Sequence, residues 1–309
     1  FLEVMKKVPF RVHLSEYVNE TSLYCPWQIP AAHFLESWGD VRAFNGLVSI
    51  IQPLIAPLYP SARTSYDVIC ALLGEASVSA YEIVRAYWKE QRPGNDFDQF
   101  WNRALHDGFI AGTQAQPKQV TLKADALSGL PALQPARSGL DIVFRPDPSI
   151  RFGSFANLGW LQELPKPFTK HTWENLVLVG VATAKKLGID HRTDSQFNKV
   201  AEVELTLNGR KVTGPIMPVP GLADDTVLVH LGYGRTAAGR VGGSGKETLG
   251  FDAFQLMKSD SVGVATGAQI RKTGGTRQVA QTQLHFMIDQ SDVQGIFGGI
   301  GKSAAEKLD

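Results

Sequence analysis

The sequence predicts an α/β region followed by a mostly β region that closes into a barrel. Three observations predict this order. Apolar residues recur at helical spacing between residues 65 and 110, a stretch rich in Gln, Ala, Pro and Ser follows at 112–138, and short apolar runs alternate with turn signals from residue 175 onward. Many short strands beside one small helix are typical of a barrel.

The size and composition describe an ordinary globular protein. The 309 residues suggest roughly two domains, and 43% hydrophobic with 20% charged residues allow a large core. A net charge of +1 gives no reason to expect binding to nucleic acid or to an acidic membrane surface. No apolar run is long enough to span a bilayer. The start, Phe1-Leu2-Glu3-Val4, is neither an initiator Met nor a signal peptide, which predicts a piece cut from a longer polypeptide.

The first region contains short strands and then helices. Residues 1–60 read as short strands and loops, with a buried strand at 47–51. Ser65 is the predicted cap of a helix that runs to Leu73 and stops at Gly74. Two more helices follow, one at 78–90 and one marked by apolar residues from Phe97 to Ile110.

The second region is predicted from runs of β-branched and apolar residues. A hairpin is expected around Asn208-Gly209, because this pair supplies the two positive φ angles of a type I′ turn. The predicted elements in order are strand 140–144, strand 176–179, helix 182–187, hairpin strands 200–207 and 211–216, and strand 226–231.

Residues 157–175 combine Trp, Pro, Gly and polar residues without a helical or strand period. This composition predicts an ordered, pinned loop. Trp160, Trp173, Pro165 and Pro167 have two interpretations, packing anchors of a long strap or direct contacts to a cofactor.

The chain has two cysteines, Cys25 and Cys70. An iron–sulfur cluster normally needs about four thiolates and structural zinc about four Cys or His ligands, so the chain cannot hold either with cysteines alone. Apolar neighbours predict a buried Cys70 thiol. Pairing of the two cysteines stays open.

His33, Glu36 and Asp40 are candidate metal ligands, since residues at positions i and i+3, such as His33 and Glu36, can share one face of a helix. A catalytic metal usually needs about three protein ligands, and no second His lies nearby. A structural hydrogen bond is therefore the prediction. No Gly-x-Ser-x-Gly elbow accompanies the scattered Ser, Asp and His residues.

The glycine-rich stretch 232–247 partly matches two nucleotide-binding motifs. Residues 232–237 match GxGxxA after a strand, but the glycines that follow cannot easily continue a helix. Residues 242–247 lack the first Gly and the Ser or Thr of a phosphate loop. Arg235, Arg240 and Lys246 leave anion binding open beside a plain solvated loop.

Several separated segments, in the same order, resemble one family. The family is that of molybdopterin-oxidoreductase-like, iron–sulfur subunits of respiratory complexes of the alternative complex III type. The segments that carry the resemblance are 29–40, 46–53, 57–59, 157–175, 183–188, 218–240, 251–256 and 282–285.

The resemblance implies a fold in two parts: a partial molybdopterin-oxidoreductase core, and an aspartate-decarboxylase-like double-psi β-barrel. The implied division is the end of the α/β domain at 1–115, a linker and interdomain strap at 116–170, a molybdopterin-dinucleotide-binding-like barrel at 171–290 and a tail at 291–309.

The resemblance also implies a cofactor edge. If a pterin dinucleotide is retained, it would lie against Thr172, Trp173, Asn175, Gly232, Gly234 and Arg235. The family's cluster-binding cysteines are absent, Leu158 stands where the family often has Asn, and no residue resembles a molybdenum ligand. The resemblance therefore implies no catalytic or metal residue and no cofactor in this segment, with molybdopterin guanine dinucleotide as the alternative and iron–sulfur clusters elsewhere in the polypeptide.

The implied function is that of a scaffold portion of a respiratory subunit that passes electrons from quinol to an acceptor. The implied partners are other subunits of the complex and the chain's own further domains, on the outer, periplasmic face of the bacterial cytoplasmic membrane. Two alternatives stay open: the C-terminal half of an active molybdopterin enzyme, and a non-enzymatic anion-binding module.

Overall fold

The computed structural model describes residues 2–75, 77–125, 128–129, 138–189, 199–245 and 247–282. The chain divides into two compact units, residues 1–135 and 136–309. The predicted tail 291–309 lies outside the described residues, as do residues 126–127 and 130–137 of the Gln-, Ala-, Pro- and Ser-rich stretch at 112–138. In the described part, no helix is both long and apolar enough to cross a membrane.

The first unit combines two small sheets with three longer helices. Strands β1 and β2 pair in parallel, and β3, β4 and β5 form an antiparallel sheet in that order. Two 3₁₀ turns lie at Ser22–Tyr24 and Phe34–Glu36. The elements are α1 (Leu2–Met5), β1 (Val12–Ser15), β2 (Trp27–Pro30), β3 (Gly39–Arg42), β4 (Val48–Ile51), α2 (Ser65–Leu73), α3 (Ala80–Gln91), α4 (Phe97–Asp107) and β5 (Phe109–Ile110).

The helices of this unit follow the predicted positions with corrections at their ends. Thr64, and not Ser65, is the N-cap of α2, because its hydroxyl accepts from Asp67 N at 3.1 Å. Helix α4 ends at Asp107, short of the predicted Ile110. Gly108 adopts a left-handed φ of 76° that stops the helix, and Ile110 belongs to β5.

His33, considered above as a candidate metal ligand, is the N-cap of the 3₁₀ turn Phe34–Glu36. His33 Nδ1 accepts from Leu35 N at 3.2 Å, and Glu36 Oε2 accepts from His33 N at 3.0 Å. This reciprocal pair confirms the predicted structural role. Both cysteines are free thiols, and Cys70 is buried as predicted.

The second unit is built around a closed barrel of six strands in the order β10-β8-β11-β6-β14-β9. Two neighbouring pairs, β6 with β11 and β8 with β10, are parallel, and the other pairs are antiparallel. The elements are β6 (Leu140–Pro146), α5 (Gly159–Glu163), β7 (His171–Thr172), β8 (Val177–Val179), α6 (Val181–Lys186), β9 (Lys199–Leu207), β10 (Arg210–Pro218), β11 (Thr226–Leu231), α7 (Gly239–Gly242), β12 (Gly243–Ser244), β13 (Glu247–Thr248), a 3₁₀ turn (Ala253–Leu256), β14 (Val264–Gln278) and β15 (Ala280–Gln281).

The barrel core is formed by the inward side chains of alternating strand residues. Val203, Leu205 and Leu207 of β9 are buried and alternate with more exposed neighbours, which is the period expected of a sheet with one covered face. Asn208 and Gly209 have φ angles of 51° and 77°, so the predicted hairpin turn with two positive φ angles is confirmed.

Strand β6 belongs to the barrel, although it lies upstream of the barrel start predicted at residue 171. It pairs with β11 on one side and β14 on the other. Both partners lie far along the chain, so a local pattern predicts the strand at 140–144 but not its place in a sheet. The assignment of the first region to a molybdopterin-oxidoreductase-like α/β domain, and of the second to a molybdopterin-dinucleotide-binding-like barrel, stays a prediction.

Candidate functional site

The residues between β6 and β8, here called the β6–β8 connection (147–176), hold the candidate site. Asp147 and Arg151 exchange two backbone hydrogen bonds of 2.9 Å, and Trp173 N donates to Gln162 O at 3.0 Å. The predicted loop at 157–175 is irregular over most of its length. It also contains the short helix α5 and the two-residue strand β7, which the irregular composition did not predict.

A buried ion pair lies at the centre of this connection. Lys166 is 2% exposed and Asp147 is 1% exposed. Lys166 Nζ donates to Asp147 Oδ1 at 2.9 Å, and the same oxygen accepts from Ser149 N and Ile150 N at 2.9 and 3.0 Å. Burial lowers the pKa of Lys166, and the negative Asp147 opposes that shift.

Tyr233 joins the ion pair to the loop after β11. Lys166 Nζ donates to the Tyr233 hydroxyl at 2.9 Å, and that hydroxyl donates to Gln162 Oε1 at 3.2 Å. Gln162 Nε2 in turn donates to Ala156 O at 2.8 Å. Burial first, and then the charges of Asp147 and Glu174, raise the pKa of Tyr233, so its hydroxyl stays protonated and acts as a donor.

Two histidines border the same buried region. His171 is fully buried, and its Nδ1 hydrogen-bonds the hydroxyl of Thr169. Burial, followed by the positive charge of Lys166, lowers the pKa of His171 to about 3. Burial also lowers the pKa of His230. Within the described residues, His171 Nε2 and His230 Nδ1 have no hydrogen-bond partner. Both rings are therefore neutral at pH 7.

Glu174 forms a second ion pair at the end of the connection. Its Oε2 lies 3.3 Å from Arg277 Nε, without the angle of a hydrogen bond. Burial raises the pKa of Glu174, and Arg277 opposes that shift. This pair ties the connection to strand β14.

Asn175 clamps three segments together. Its side chain is fully buried. Asn175 Nδ2 donates to His230 O at 2.9 Å and to Phe251 O at 3.0 Å, and its Oδ1 accepts from Phe251 N at 2.9 Å. The amide thus joins the start of β8 to the end of β11 and to the chain near residue 251.

Replacing Asn175 by Ala should destabilise the second unit by about 2–3 kcal/mol, because the buried backbone groups of His230 and Phe251 lose their partner. Chemical denaturation followed by hydrogen exchange of β8 and β11 measures the change. Asn102→Ala on the exposed face of α4 is the control and should change stability by less than about 0.5 kcal/mol. Equal effects of the two substitutions would contradict the clamp.

Gly232 and Gly234 lie where the backbone of other segments approaches closely. A Cβ on Gly232 would come within 2.5 Å of Gly153 N, and one on Gly234 within 2.3 Å of Asp252 N. Their φ angles of 117° and 72° are also ones that favour glycine. Close packing within the chain accounts for both glycines.

The other predicted cofactor residues are also engaged within the chain. Arg235 Nη1 donates to Gly153 O at 2.8 Å. Thr172 Oγ1 donates to Ala280 O at 3.4 Å, next to the pairing of β7 with β15. Trp173 has a left-handed φ of 67° and is half-buried. The structure therefore brings Asn175, Gly232 and Gly234 to one side of the barrel, where their groups hold the fold.

These residues do not fit a pterin dinucleotide as they are arranged. Recognition of a pyrophosphate needs donors that point outward to the ligand. Both amide N–H donors of Asn175 bind backbone oxygens of this chain, and the closest approaches of Gly232 and Gly234 are to protein backbone. Among the described residues, no buried side-chain atom without a partner belongs to the six predicted residues, and no group of three or more His, Cys, Asp or Glu is placed to hold a metal.

The GxGxxA match at 232–237 is not followed by the long helix that a dinucleotide site needs. Between β11 and β12 the described chain forms the four-residue helix α7, which is too short to aim its N-terminus at a ligand as such a site does. Lys246, the lysine of the imitated phosphate loop, lies outside the described residues.

Sequence reasoning missed the ion pair of Asp147 and Lys166 and the role of Tyr233. In the sequence, Tyr233 occupies only a variable position of the GxGxxA match, between two glycines. A buried lysine is rare, and the sequence signal nearest to it is its position between Pro165 and Pro167. No local pattern pairs it with an aspartate 19 residues away.

No family model matches this chain. Among curated proteins, it is 28% identical over 280 residues to the menaquinone reductase, molybdopterin-binding-like subunit, of Nitratidesulfovibrio vulgaris (strain Hildenborough). The alignment covers 85% of this chain and 35% of that protein, so the chain spans about a third of its relative's length.

Among solved structures, the chain is similar to acetylene hydratase from Pelobacter acetylenicus, with a TM-score of 0.49 and 11% identity over 78% of this chain and 35% of that one. The sequence comparison with the menaquinone reductase subunit confirms the predicted resemblance to molybdopterin-oxidoreductase-like subunits. It does not test the predicted alternative complex III type. This chain has a curated relative that is a molybdopterin-binding-like subunit of an oxidoreductase.

Proposed function

We propose that this chain is a scaffold part of a membrane-associated, quinone-linked respiratory oxidoreductase subunit of the alternative complex III type. The observation that carries the proposal is the internal engagement of Thr172, Asn175, Gly232, Gly234 and Arg235, above all the use of both amide N–H donors of Asn175 within the chain. A relative named as a molybdopterin-binding-like subunit supports the same reading.

Electrons would pass through clusters outside this chain. The two cysteines are fewer than the roughly four thiolates that a cluster needs, and Cys70 is buried in α2. Further domains of a longer polypeptide and other subunits of the complex are the proposed partners, and the 35% coverage of the relative supports the former. The proposed location is the periplasmic face of the cytoplasmic membrane.

The barrel is proposed to be of the double-psi, aspartate-decarboxylase-like type. Its combination of two parallel and four antiparallel neighbouring pairs around six strands supports this assignment. In this role the barrel acts as a rigid body that other domains pack against.

The direction of electron transfer is part of the proposal. The family resemblance implies transfer from quinol to an acceptor, whereas the relative's name is that of an enzyme that reduces menaquinone. Both use the quinone couple. Assaying the purified complex separately for quinol oxidation and for menaquinone reduction decides the direction.

The test of the scaffold role is metal and pterin analysis of the complex purified through this protein from its native membrane. We expect iron without molybdenum or pterin, because the clusters are proposed to lie outside this chain and both amide N–H donors of Asn175 are used within it. Stoichiometric molybdenum with pterin would overturn the scaffold role.

The two alternatives predict different results in that experiment. For the C-terminal half of an active molybdopterin enzyme, pterin is present and Arg235→Ala removes it. For an anion-binding module, the protein purifies without iron and without other subunits.

A further inference from the structure

A cavity of about 330 Å³ lies in the first unit, where strands β3 and β4 meet helices α2 and α3. Its volume is at the lower end of the range that is typical of small-molecule sites. Buried Val48 of β4 and Val84 of α3 line it, together with half-buried Ile83. Tyr87 of α3 also lines it and is 46% exposed, so the cavity opens to solvent.

Two opposite charges face this cavity from one strand. Asp40 and Arg42 both belong to β3 and both line the cavity. They are two positions apart, and alternate residues of a strand lie on the same face. Within the part of the chain that the structure describes, no ion pair joins their side chains. Neither charge is therefore neutralised by the other.

The carboxylate of Asp40 is held in place and keeps one oxygen for a ligand. Trp88 Nε1 donates to Asp40 Oδ2 at 2.9 Å. Among the described residues, Asp40 Oδ1 has no donor. Burial first, and then the negative charge of Asp40, raise the pKa of Tyr66, while a hydrogen bond with the Asp40 backbone opposes that shift. The Tyr66 hydroxyl therefore lies near this carboxylate and stays protonated at neutral pH.

Aromatic rings line the cavity beside this carboxylate. They belong to Tyr66, Tyr87 and Trp88. Tyr87 and Trp88 pack edge to face, with ring centroids 5.3 Å apart. The faces of tryptophan and tyrosine rings attract an ammonium group. The combination of a fixed carboxylate and these rings favours a ligand with a positively charged nitrogen that carries N–H donors.

The guanidinium of Arg42 supplies the opposite anchor. Arg42 Nη1 donates to Gly46 O at 2.8 Å and to Thr113 O at 3.5 Å, which holds the side chain beside the cavity. Arg42 Nε and Nη2 have no acceptor in the described part of the chain. A guanidinium presents its donors in a planar fork that matches a carboxylate. Arg42 thus keeps donors for a carboxylate of the ligand.

We propose that this cavity binds a free α-amino acid with an apolar side chain. The ammonium group of the ligand donates to Asp40 Oδ1, its carboxylate accepts from Arg42, and its side chain packs against Val48 and Val84. A simple amine leaves Arg42 without a partner, and a simple carboxylate leaves Asp40 without one, so a zwitterion matches both charges. The inference goes beyond the proposed function, because it assigns a ligand to the first unit.

Equilibrium dialysis of radiolabelled L-leucine against the full protein, purified from its native membrane, tests this inference. We expect saturable binding that unlabelled L-leucine displaces. Leucinol lacks the carboxylate and 4-methylpentanoate lacks the ammonium group, so each should compete at least about tenfold more weakly. Absence of saturable binding up to about 10 mM L-leucine, or equal competition by either analogue, would overturn the inference.

Substitutions on β3 test whether the leucine binds in this cavity. Asp40→Asn keeps an oxygen for Trp88 Nε1 but loses the charge, and Arg42→Gln loses the guanidinium. Each should weaken binding at least about tenfold. Asp98→Asn and Arg103→Gln make the same changes on α4, where these side chains are 80% and 82% exposed, and should leave binding unchanged. Unchanged binding in either β3 variant would overturn the inference.

Photolabelling locates the ligand without any substitution. A diazirine analogue of L-leucine keeps both charged groups, and we expect it to label the peptide that contains α3 in the full protein. Excess unlabelled L-leucine should prevent this labelling, whereas excess leucinol should not. Labelling confined to other peptides would overturn the inference, even if the β3 variants do not fold.

Discussion

Replacing Lys166 by Met is expected to destabilise the second unit by about 3–5 kcal/mol. The substitution removes the positive partner of Asp147, which is 1% exposed and has no other cation within hydrogen-bonding distance among the described residues. It also removes the donor to the Tyr233 hydroxyl. An unpaired buried carboxylate must then keep an uncompensated charge or take up a proton, and both cost free energy.

Chemical denaturation, with hydrogen exchange of β8 and β11 as the local readout, measures this loss. The control is Lys186→Met, because Lys186 and Asp225 form an ion pair of the same 2.9 Å length with side chains that are 59% and 57% exposed. That exposed pair should contribute less than about 1 kcal/mol. The double variant Lys166→Met with Asp147→Leu should recover part of the lost stability. A loss no larger than that of the control would contradict the buried ion pair.

Lowering the pH from 7 to 4.5 is expected to remove about 2–3 kcal/mol of stability through His171 alone. Its pKa is about 3 in the folded protein, whereas an exposed histidine has a pKa of 6.5. Since the folded pKa is the lower one, the unfolded state binds the proton first. The stability is therefore full above about pH 6.5 and declines as the pH falls towards 3.

The His171→Gln variant tests this origin of the acid sensitivity. The difference in unfolding free energy between pH 7 and pH 4.5 should shrink in the variant, whatever its stability at pH 7. His230, with a lowered pKa, contributes in the same direction, and Glu174, with a raised pKa, opposes it. His106→Gln, at an exposed position, serves as the control and should keep the difference of the unaltered protein. An unchanged difference in His171→Gln would contradict the explanation.

Local signals in the sequence predict much of the fold. Asn208-Gly209 predicts the hairpin because only a few residue pairs adopt two positive φ angles in sequence. Gly74 and the apolar period before it predict α2 up to its last residue, Leu73. The cap of His33 by Glu36 also depends on residues three positions apart, which is within the reach of a sequence pattern.

The candidate site is less predictable because its contacts are distant along the chain. Lys166 meets Asp147 across 19 positions and Tyr233 across 67. Residues 157–175 were correctly singled out as an ordered loop, but their composition does not show which side chains turn inward. Gly232 and Gly234 make close backbone approaches that only the folded chain reveals, and their place at a cofactor edge stays a prediction.

The order of strands in the barrel has a consequence for synthesis on the ribosome. Strand β6 is made early, yet one of its two partners is β14, which begins at Val264, after β6 has ended at Pro146. At about 5–20 residues per second, roughly 6–24 s pass before that partner is translated. During this time β6 exposes an unpaired apolar edge, so we expect the nascent chain to need a chaperone until translation passes β14, and chains truncated before Val264 to aggregate.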